Sequence, residues 1–373
     1  MLKKIFLAAF MLMVAGYFIQ SATSPSPEQE EIIATQQFAD EAIALAANND
    51  SMALDRLNHA LTLPITNKSR AQIYVALGSY TLRTGSGRTA LEYFQAALAM
   101  PELPDTERVG ALIVIGHCYY AGKRDLKQNL QAALEYYHAA IATEKLSDDL
   151  RAEILCLIAK IYDDNDDSLK ASKYYQKVLN IDESSNDVRA VALSNLALLY
   201  HIGAQGIMKD SRTALKYYQE ALAIPGLPGE VRARTLCGIG AIYLESKEDF
   251  AIETALQYFQ KALDTPESSN MVRAIVLANM GEIYWSKNSV RNYQKSLECS
   301  KAALAIPEIP IPHRAKALVG IGFIHYTNKK SIADHKIALE CFQEALTLGA
   351  DPSIAPSLEI FIKNIQRELR DQT

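Results

Sequence analysis

The sequence predicts an all-α fold, a right-handed α-solenoid of about eight antiparallel helix pairs that ends in a C-terminal capping helix. Three observations predict it. An apolar pattern with helical spacing recurs along most of the 373 residues, each copy carries a small residue at one register position, and the last segment is apolar on one side only. Because one copy cannot bury its apolar face alone, the copies must stack into a continuous core.

The first helix of each pair, here the inner helix, is marked by its small residue. Successive copies are 38 residues apart from Gly78 to Gly116 and 43 apart from Gly116 to Ala159. A large residue lies four positions before the small one, and Tyr lies three positions after it in five copies. These offsets place all three on one helical face. The small positions are Gly78, Gly116, Ala159, Ala197, Gly240, Gly281 and Gly322.

The second helix, here the outer helix, mostly reads Ala-x-x-x-aromatic-x-x-Ala, as in ALEYYHAA, ALKYYQEA and ALQYFQKA. We expect the small residue of the inner helix to face the alanines of the outer helix, while the aromatic ring fills the space beside them. The outer helices open at Ala53, Ala90, Ala133, Ala171, Ala214, Ala255, Ser296 and Ala338.

This pattern resembles the tetratricopeptide repeat, whose copies carry a large apolar residue, Leu-Gly and Tyr, then Ala-x-x-x-Phe-x-x-Ala. The resemblance covers roughly residues 30 to 350 as eight copies. Leu mostly replaces the family's Trp, and the copies exceed the usual length of about 34 residues. Two stretches, YHIGAQGIMKDSRTALKYY and YYAGKRDLKQNLQAALEYY, also resemble the Sel1-like repeat, which has a Gly-containing loop before an Ala-Leu-x-Tyr-Tyr helix.

Both ends of the array depart from the pattern. Glu41 replaces an apolar residue in the first inner helix, and Asn364 replaces the small residue in the last helix, so no further copy should stack there. The predicted segments are 1–24, a signal peptide or N-terminal membrane anchor; 25–69, a degenerate helix pair; 70–350, the repeats; and 351–373, the capping helix.

The N-terminus has the layout of a secretory signal: Lys3 and Lys4 precede an apolar run from Ile5 to Ile19. The run is short for a membrane span. Cleavage sites after Ala22 or Ser24 are poor, so cleaved export, an uncleaved anchor and a cytoplasmic protein remain alternatives. We expect an exported chain, periplasmic, secreted or anchored to a membrane, because the Lys pair stays inside.

The remaining chemistry-bearing residues indicate no enzyme, cofactor or metal site. The formal charge is −5 and no basic stripe exists, which argues against nucleic acid. His117 and Cys118 point about 100° apart on a helix, so they make a poor catalytic dyad. Thr84–Thr89 lacks the strand and Lys of a phosphate loop, and Asp163–Ser168 lacks the Gly and closing Glu of a calcium loop. We expect both to be turns.

The five cysteines lie in predicted helices of different copies, and their spacing matches no zinc or redox pair. Cys299 and Cys341 are equivalent in adjacent copies, hence about 10 Å apart and too far for a disulfide. We expect buried free thiols.

An arginine precedes each small position by eight residues. It could form a ladder for an acidic ligand, or it could bridge to a carboxylate or loop carbonyls of a neighbouring copy. Recurrence in every copy favours the structural interpretation, since a ligand would engage only a few copies. The arginines are Arg70, Arg108, Arg151, Arg189, Arg232, Arg273 and Arg314.

The resemblance implies a concave face lined by inner helices, on which peptides or helices bind. Just after the small position, this face carries His117, Lys160, Glu282 and Phe323. Three residues later it carries Tyr120, Asp163, His201, Trp285 and Tyr326. Exposed aromatics suit a peptide groove; the alternative is that they pack between copies. The family's clamp for a C-terminal carboxylate uses Asn after the Gly, where this chain has Ser79, His117 and Lys160. That activity is therefore not implied.

The sequence thus predicts a non-enzymatic scaffold or adaptor that binds a protein or peptide on the concave face, as a monomer or with weak self-association. The alternative is a self-associating structural or assembly component of an envelope or membrane complex. A third interpretation is an enzyme with an unrecognised site.

Overall fold

The computed structural model describes residues 27–48, 51–122, 125–246, 249–328 and 331–371. Within these residues the chain forms 17 α-helices and no strand, which confirms the all-α solenoid class. They are α1 (Pro27–Ala47), α2 (Ala53–Ala60), α3 (Asn67–Thr84), α4 (Gly87–Leu98), α5 (Asp105–Ala121), α6 (Leu130–Ile141), α7 (Asp148–Asp164), α8 (Ser168–Leu179), α9 (Asn186–Ile202), α10 (Ser211–Leu222), α11 (Gly229–Glu245), α12 (Asp249–Asp264), α13 (Asn270–Ser286), α14 (Tyr293–Leu304), α15 (Ile311–Asn328), α16 (Ile332–Thr347) and α17 (Ala355–Arg370).

The chain divides into two compact bodies, Met1–Ser147 and Asp148–Thr373. The described part of the first contains the pairs α1/α2, α3/α4 and α5/α6; the second contains five pairs, from α7/α8 to α15/α16, and then α17. Within each body an inner helix contacts its own outer helix, the preceding outer helix and the adjacent inner helices. This is the nearest-neighbour stacking that the repeated pattern predicts.

The glycines at the small position of the inner helices lie directly against a side chain of their own outer helix, which in most pairs is an aromatic ring. A Cβ atom added at Gly116 would lie 2.5 Å from the ring of Tyr137, and one added at Gly240 would lie 2.7 Å from that of Phe259. Both rings are fully buried. The expectation that alanines would face the glycine is therefore corrected: the ring itself occupies the space a side chain would need, with the alanines buried beside it.

Two glycines of α5 should respond oppositely to alanine. The Cβ of Gly116→Ala would overlap Tyr137, whereas Gly110 is exposed and has nothing within 4 Å of an added Cβ. We expect Gly110→Ala to raise the free energy of unfolding by roughly 0.5–1 kcal/mol, as in other helix interiors, and Gly116→Ala to lower it by roughly 1–3 kcal/mol. Urea unfolding of the two variants measures both; effects of the same sign would contradict the packing register.

A second aromatic contact joins the helices of a pair. A tyrosine of the inner helix stacks on the first residue of the Tyr-Tyr or Tyr-Phe dipeptide in the outer helix; it lies three positions after the small residue, except for Tyr74, which lies four positions before Gly78. The described pairs, with ring centroids 5.4 to 6.3 Å apart, are Tyr74–Tyr93, Tyr119–Tyr136, Tyr162–Tyr174, Tyr200–Tyr217 and Tyr243–Tyr258. Offset stacking of this kind adds about 0.5–1.5 kcal/mol beyond area burial.

The last helix packs on one side only. In α17, Leu358 and Ile365 are buried in a cluster around Phe342, while Lys363 and Arg367 are exposed. The outer face of α17 thus carries Lys363 and Arg367 together with the exposed Ile360.

At the other end, the proposed signal or anchor, residues 1–24, lies outside the described residues. No helix in the part of the chain that the structure describes has the length and apolar character to cross a membrane.

Candidate functional site

The nine residues predicted to bind a partner all lie on inner helices. Two lie in the first body and seven in the second. Their positions are His117 and Tyr120 on α5, Lys160 and Asp163 on α7, His201 on α9, Glu282 and Trp285 on α13, and Phe323 and Tyr326 on α15.

Eight of the nine side chains are exposed or half-buried, and that of His201 is buried. Lys160 is exposed and pairs with Asp164 one turn later. His117 is also exposed, and its Nδ1 lies 2.9 Å from the hydroxyl oxygen of Tyr137. Asp163 is half-buried, and this burial raises the pKa of its carboxyl.

His201 lies between two repeats. Its side chain is buried, and its Nε2 is 3.3 Å from Oε1 of Glu245, which in turn forms a 2.7 Å ion pair with Lys209. Burial lowers the pKa of the His201 imidazole. His201 therefore fits the packing alternative better than the binding one.

Three of the four large aromatic rings among the nine residues make contacts between neighbouring elements. The rings of Trp285 and Phe323, from adjacent inner helices, are 4.6 Å apart, and the ring of Tyr326 is 5.0 Å from that of Phe361 in α17. Phe323 and Tyr326 thus belong to the core of the last repeat, whereas Trp285 also borders a cleft.

Two described clefts are lined mainly by inner helices. The first, the N-terminal groove, has a volume of about 420 Å³ and lies on α1, α3 and α5; Asp40, Gln72, Ser79, Arg83 and Glu107 are among its lining residues. The second, the C-terminal cleft, has a volume of about 680 Å³ and lies between α13, α15 and the loop before α17; its polar lining residues are Glu282, Trp285, Ser286, Lys287, His313, Lys316, Asp351 and Ser353.

Sequence reasoning did not identify several of these residues. Gln72 and Lys316 each lie six positions before a small residue, and His313 lies nine before Gly322. The position six residues before the small residue and the position one residue after it are seven residues, or two helical turns, apart. They therefore lie on the same helical face. The signal was therefore present: the predicted face extends two turns further toward the start of the inner helix.

Two charged groups in the C-terminal cleft, Lys316 and Glu282, form an ion pair. The Lys316 ammonium lies 2.8 Å from Oε2 of Glu282 and donates to Asn279 Oδ1 at 2.9 Å. Asp351 accepts a 2.8 Å hydrogen bond from the backbone N–H of Ser353, and hydrogen bonding to Ser353 lowers the pKa of its carboxyl. Three buried atoms in this lining have no hydrogen-bond partner among the described residues: Trp285 Nε1, Ser286 Oγ and His313 Nδ1.

His313 gives the second body a pH-dependent stability. Burial, helped by the nearby Lys316, lowers the pKa of its imidazole from 6.5 to about 4. The unfolded state therefore binds more protons in this range, so the stabilisation is complete above pH 6.5 and lost as pH falls toward 4. We expect His313→Gln to lose less stability than the parent chain between these pH values, measured by urea unfolding. Equal losses would contradict the burial of a neutral imidazole.

Four of the seven recurring arginines, Arg70, Arg108, Arg189 and Arg273, reach back to carbonyl oxygens at the end of the preceding outer helix. Arg108 donates to the carbonyl oxygen of Leu98 at 3.1 Å, and Arg189 donates to that of Leu179 at 3.2 Å. Arg273 donates to Leu263 O at 3.1 Å. A cation at a helix C-terminus is stabilising, although the same charge opposes the dipole of its own helix. In the last repeat Arg314 instead pairs with Glu344 at 2.8 Å. These contacts support the structural interpretation of the ladder.

Acidic residues beside two of these arginines make the complementary contact with the next inner helix. Asp149 accepts a hydrogen bond from the backbone N–H of Ser185 at 2.8 Å. Glu230 accepts from the N–H of Ser269 at 2.7 Å and from its hydroxyl at 2.9 Å. A carboxylate at a helix N-terminus is stabilising, so the recurring charges join neighbouring repeats in both directions.

A substitution tests the arginine contact. Arg189→Met leaves the carbonyls of Leu179 and Ile181 without their charged donor. We expect the free energy of unfolding to fall by roughly 1.5–3 kcal/mol, whereas Lys173→Met, at an exposed position of α8, should change it little. Chemical denaturation measures the difference; equal effects would reopen the ligand interpretation.

Both loops with a superficial likeness to ligand sites are turns, as predicted. Asp167 accepts from the N–H of Lys170 at 3.1 Å and starts α8, and Ser86 accepts from the N–H of Thr89 at 3.3 Å and starts α4. No group of three His, Cys, Asp or Glu in the described part of the chain could hold a metal ion.

All five cysteines are free thiols. Cys118 and Cys237 are buried and the other three are half-buried. Burial raises the pKa of Cys156 and of Cys237 to about 12, so neither is a thiolate at neutral pH.

Comparison with known proteins agrees with this architecture. The family model of the Sel1 repeat matches residues 109–142, 190–223, 238–264 and 315–349. These four segments carry Sel1 repeats. Each matched Sel1 repeat includes all or part of an outer helix, and the first two contain the Gly-containing loops noted above. No curated protein matches the chain.

Solved structures with similar folds are helical-repeat proteins. A tetratricopeptide repeat protein from Parabacteroides merdae ATCC 43184 is 15% identical, with 79% of this chain and 98% of that chain covered and a TM-score of 0.51. The apo form of the quorum sensor NprR from B. thuringiensis is 14% identical, with 98% and 94% covered and a TM-score of 0.53. At these identities the likeness shows the fold alone, which is typical of interaction scaffolds.

Proposed function

We propose that the Sel1 repeats form a non-catalytic scaffold or adaptor that binds a protein or peptide partner along the inner helices. One observation carries this proposal. The N-terminal groove in one body and the C-terminal cleft in the other are both lined mainly by inner helices, at the register positions that follow or precede the small residue. Repetition of one face along a stack suits an elongated partner, which can contact successive repeats in the same way.

The chemistry of this face supports recognition of a peptide. Ser79, Lys160 and Glu282 occupy the same register position in different repeats, and all are at least partly accessible. The same position thus offers a hydroxyl, a cation and a carboxylate on a rigid helical frame. Such variation at fixed spacing can select one sequence of side chains.

The fold neighbours support a binding role. One of the similar solved structures is that of a quorum sensor. The Lys3–Lys4 pair and the apolar run after it support export, so the partner is expected on the far side of the membrane or at its surface.

Site-specific photocrosslinking of the full chain in its host cells tests the proposed face. A photoreactive phenylalanine analogue replaces Tyr120, Lys160 or Glu282 on inner helices in three separate variants. The control variants carry it at Lys177 and Lys216, which are exposed on the outer helices α8 and α10. We expect adducts with the same partner from the inner positions and none from the outer ones.

Two outcomes would overturn the proposal. Adducts from outer positions alone would place the binding surface elsewhere. Adducts that contain only a second copy of this chain, together with a dimer mass by light scattering, would establish the alternative of a self-associating component.

A further inference from the structure

Two histidines near the C-terminal end of the second body contact carboxylates. Nδ1 of His325, on α15, lies 2.8 Å from Oδ1 of Asp334 in the first turn of α16. Nε2 of His335, the next residue of α16, lies 2.8 Å from Oε2 of Glu368 in the last turn of α17. The second contact joins the last repeat to the capping helix, so the charge of His335 bears on how that helix is held.

The imidazole of His335 is buried and faces an acceptor at each of its ring nitrogens. Its Nδ1 lies 3.0 Å from the carbonyl oxygen of Ser331, one turn earlier, and a carbonyl oxygen can only accept a hydrogen bond. Its Nε2 faces Glu368, whose carboxylate also only accepts. A neutral imidazole carries a single N–H. Both contacts are therefore hydrogen bonds only when the imidazole and the carboxylate together hold one further proton.

This further proton resides on the imidazole, because carboxyl groups release their protons at lower pH than imidazoles do. Its loss turns one contact from attractive to repulsive. If Nδ1 keeps its hydrogen, the lone pair of Nε2 faces a carboxylate oxygen of Glu368; if Nε2 keeps it, the lone pair of Nδ1 faces the carbonyl oxygen of Ser331. Imidazoles titrate between about pH 5 and pH 8. The contact is thus favourable at the acidic end of this range and weakened at the alkaline end.

The other charged groups around His335 keep the sign of this effect. On its own helix, Asp334 is a carboxylate whose pKa is lowered first by the hydrogen bond with His325 and also by the charge of His335. On α15 the charged neighbour is His325, which this carboxylate pairs with, and on α17 it is Glu368. Both carboxylates favour the imidazolium form of His335. The basic residues next along the two helices are exposed: Lys336 on α16 and Arg367 on α17.

We propose that His335 and Glu368 form a latch, closed by protonation, that docks the capping helix α17 onto the last repeat. Leu358 and Ile365, buried in the cluster around Phe342, provide the part of the docking that does not depend on pH. The loop 349–354, which borders the C-terminal cleft, leads directly into α17, so the latch also fixes one end of that loop. The latch is independent of the proposed scaffold function.

The ring nitrogens of His335 can be observed directly. NMR spectra of the ¹⁵N-labelled full chain distinguish an imidazolium from the two neutral tautomers, and comparison with His335→Gln identifies the signal among the seven histidines. We expect His335 to carry hydrogens on both nitrogens at about pH 5.5 and on one nitrogen at about pH 8.5. A neutral ring at the lower pH would overturn the latch.

Amide hydrogen exchange of the full chain measures the docking of α17 itself. Protection factors compare each observed rate with the intrinsic rate at the same pH, which removes the direct effect of pH on exchange. We expect the protection of α17 to fall at least about tenfold between about pH 5.5 and about pH 8.5, since one charge-assisted hydrogen bond is worth that factor, and that of α13 to change less. Equal protection of α17 at both pH values would overturn the proposal.

Two variants assign the pH dependence to its groups. Glu368→Gln keeps the size of the side chain, and its amide can donate to a neutral imidazole or accept from an imidazolium. We expect α17 of this variant to be less protected than in the parent chain at about pH 5.5 and to lose the pH dependence. His325→Gln breaks the neighbouring pair with Asp334, leaves His335 and Glu368 in place, and should keep the pH dependence. Persistence in Glu368→Gln, or loss in His325→Gln, would overturn the assignment to His335 and Glu368.

Discussion

Gly240→Leu is expected to lower the melting temperature of the second body by roughly 6–12 °C. The Cβ alone would lie 2.7 Å from a ring carbon of Phe259, which is fully buried and cannot move outward without exposing its face. Overfilling a packed core costs roughly 1–3 kcal/mol, and we take the upper end because even one carbon atom does not fit. For a body of this size each kcal/mol corresponds to about 2–4 °C. Thermal unfolding followed by circular dichroism measures the shift.

The controls lie in the partner helix. Ala262→Leu, at a fully buried position of α12, should act in the same direction. Lys261→Ala should change the melting temperature little, because its exposed ammonium contributes only a cation–π contact 5.2 Å from the ring of Tyr258. The double variant Gly240→Ala with Phe259→Leu should lose less stability than the sum of the single changes. Equal shifts for Lys261→Ala and Gly240→Leu would refute the register.

The fold could be predicted in detail because repetition averages out local ambiguity. A Gly within a helix is weak evidence in one copy, yet seven small residues at equivalent positions indicate a shared contact. What the pattern could not show is which side chain fills the space. Tyr137 and the alanines around it lie on one face of α6, so only the packed structure distinguishes a ring over Gly116 from an alanine over it.

The candidate site could be predicted only in part, for a related reason. Periodicity places Glu282 and Trp285 on the accessible face of α13, but the C-terminal cleft also needs the loop around Asp351, which belongs to no repeated element. Likewise, periodicity places His201 on the corresponding face of α9, but it does not show that Glu245 of the next repeat contacts its side chain. Contacts between repeats decide accessibility, and these involve the loops, where the copies differ most.

Tyr175 shows how an outer-helix ring is held on both sides. It lies on α8, has no exposed surface, and its hydroxyl accepts a 3.1 Å hydrogen bond from the side-chain amide of Asn195 on the next inner helix, α9. Burial raises the pKa of the phenol, so the hydroxyl stays neutral throughout the physiological range. The ring of Tyr175 thus fills space within its own helix pair, and its hydroxyl makes a polar contact to the following pair.

We expect Tyr175→Ala to lower the free energy of unfolding by roughly 3–5 kcal/mol, because the removed ring leaves a cavity that the rigid pair cannot close. Tyr175→Phe keeps the ring and should cost only about 1 kcal/mol, the value of the lost hydrogen bond to Asn195. Urea unfolding of both variants, with amide hydrogen exchange to locate the effect, measures the difference. Since stacked repeats depend on their nearest neighbours, faster exchange in Tyr175→Ala should centre on α7 to α9. A loss of similar size in both variants would show that the hydrogen bond, and not the ring, holds these repeats together.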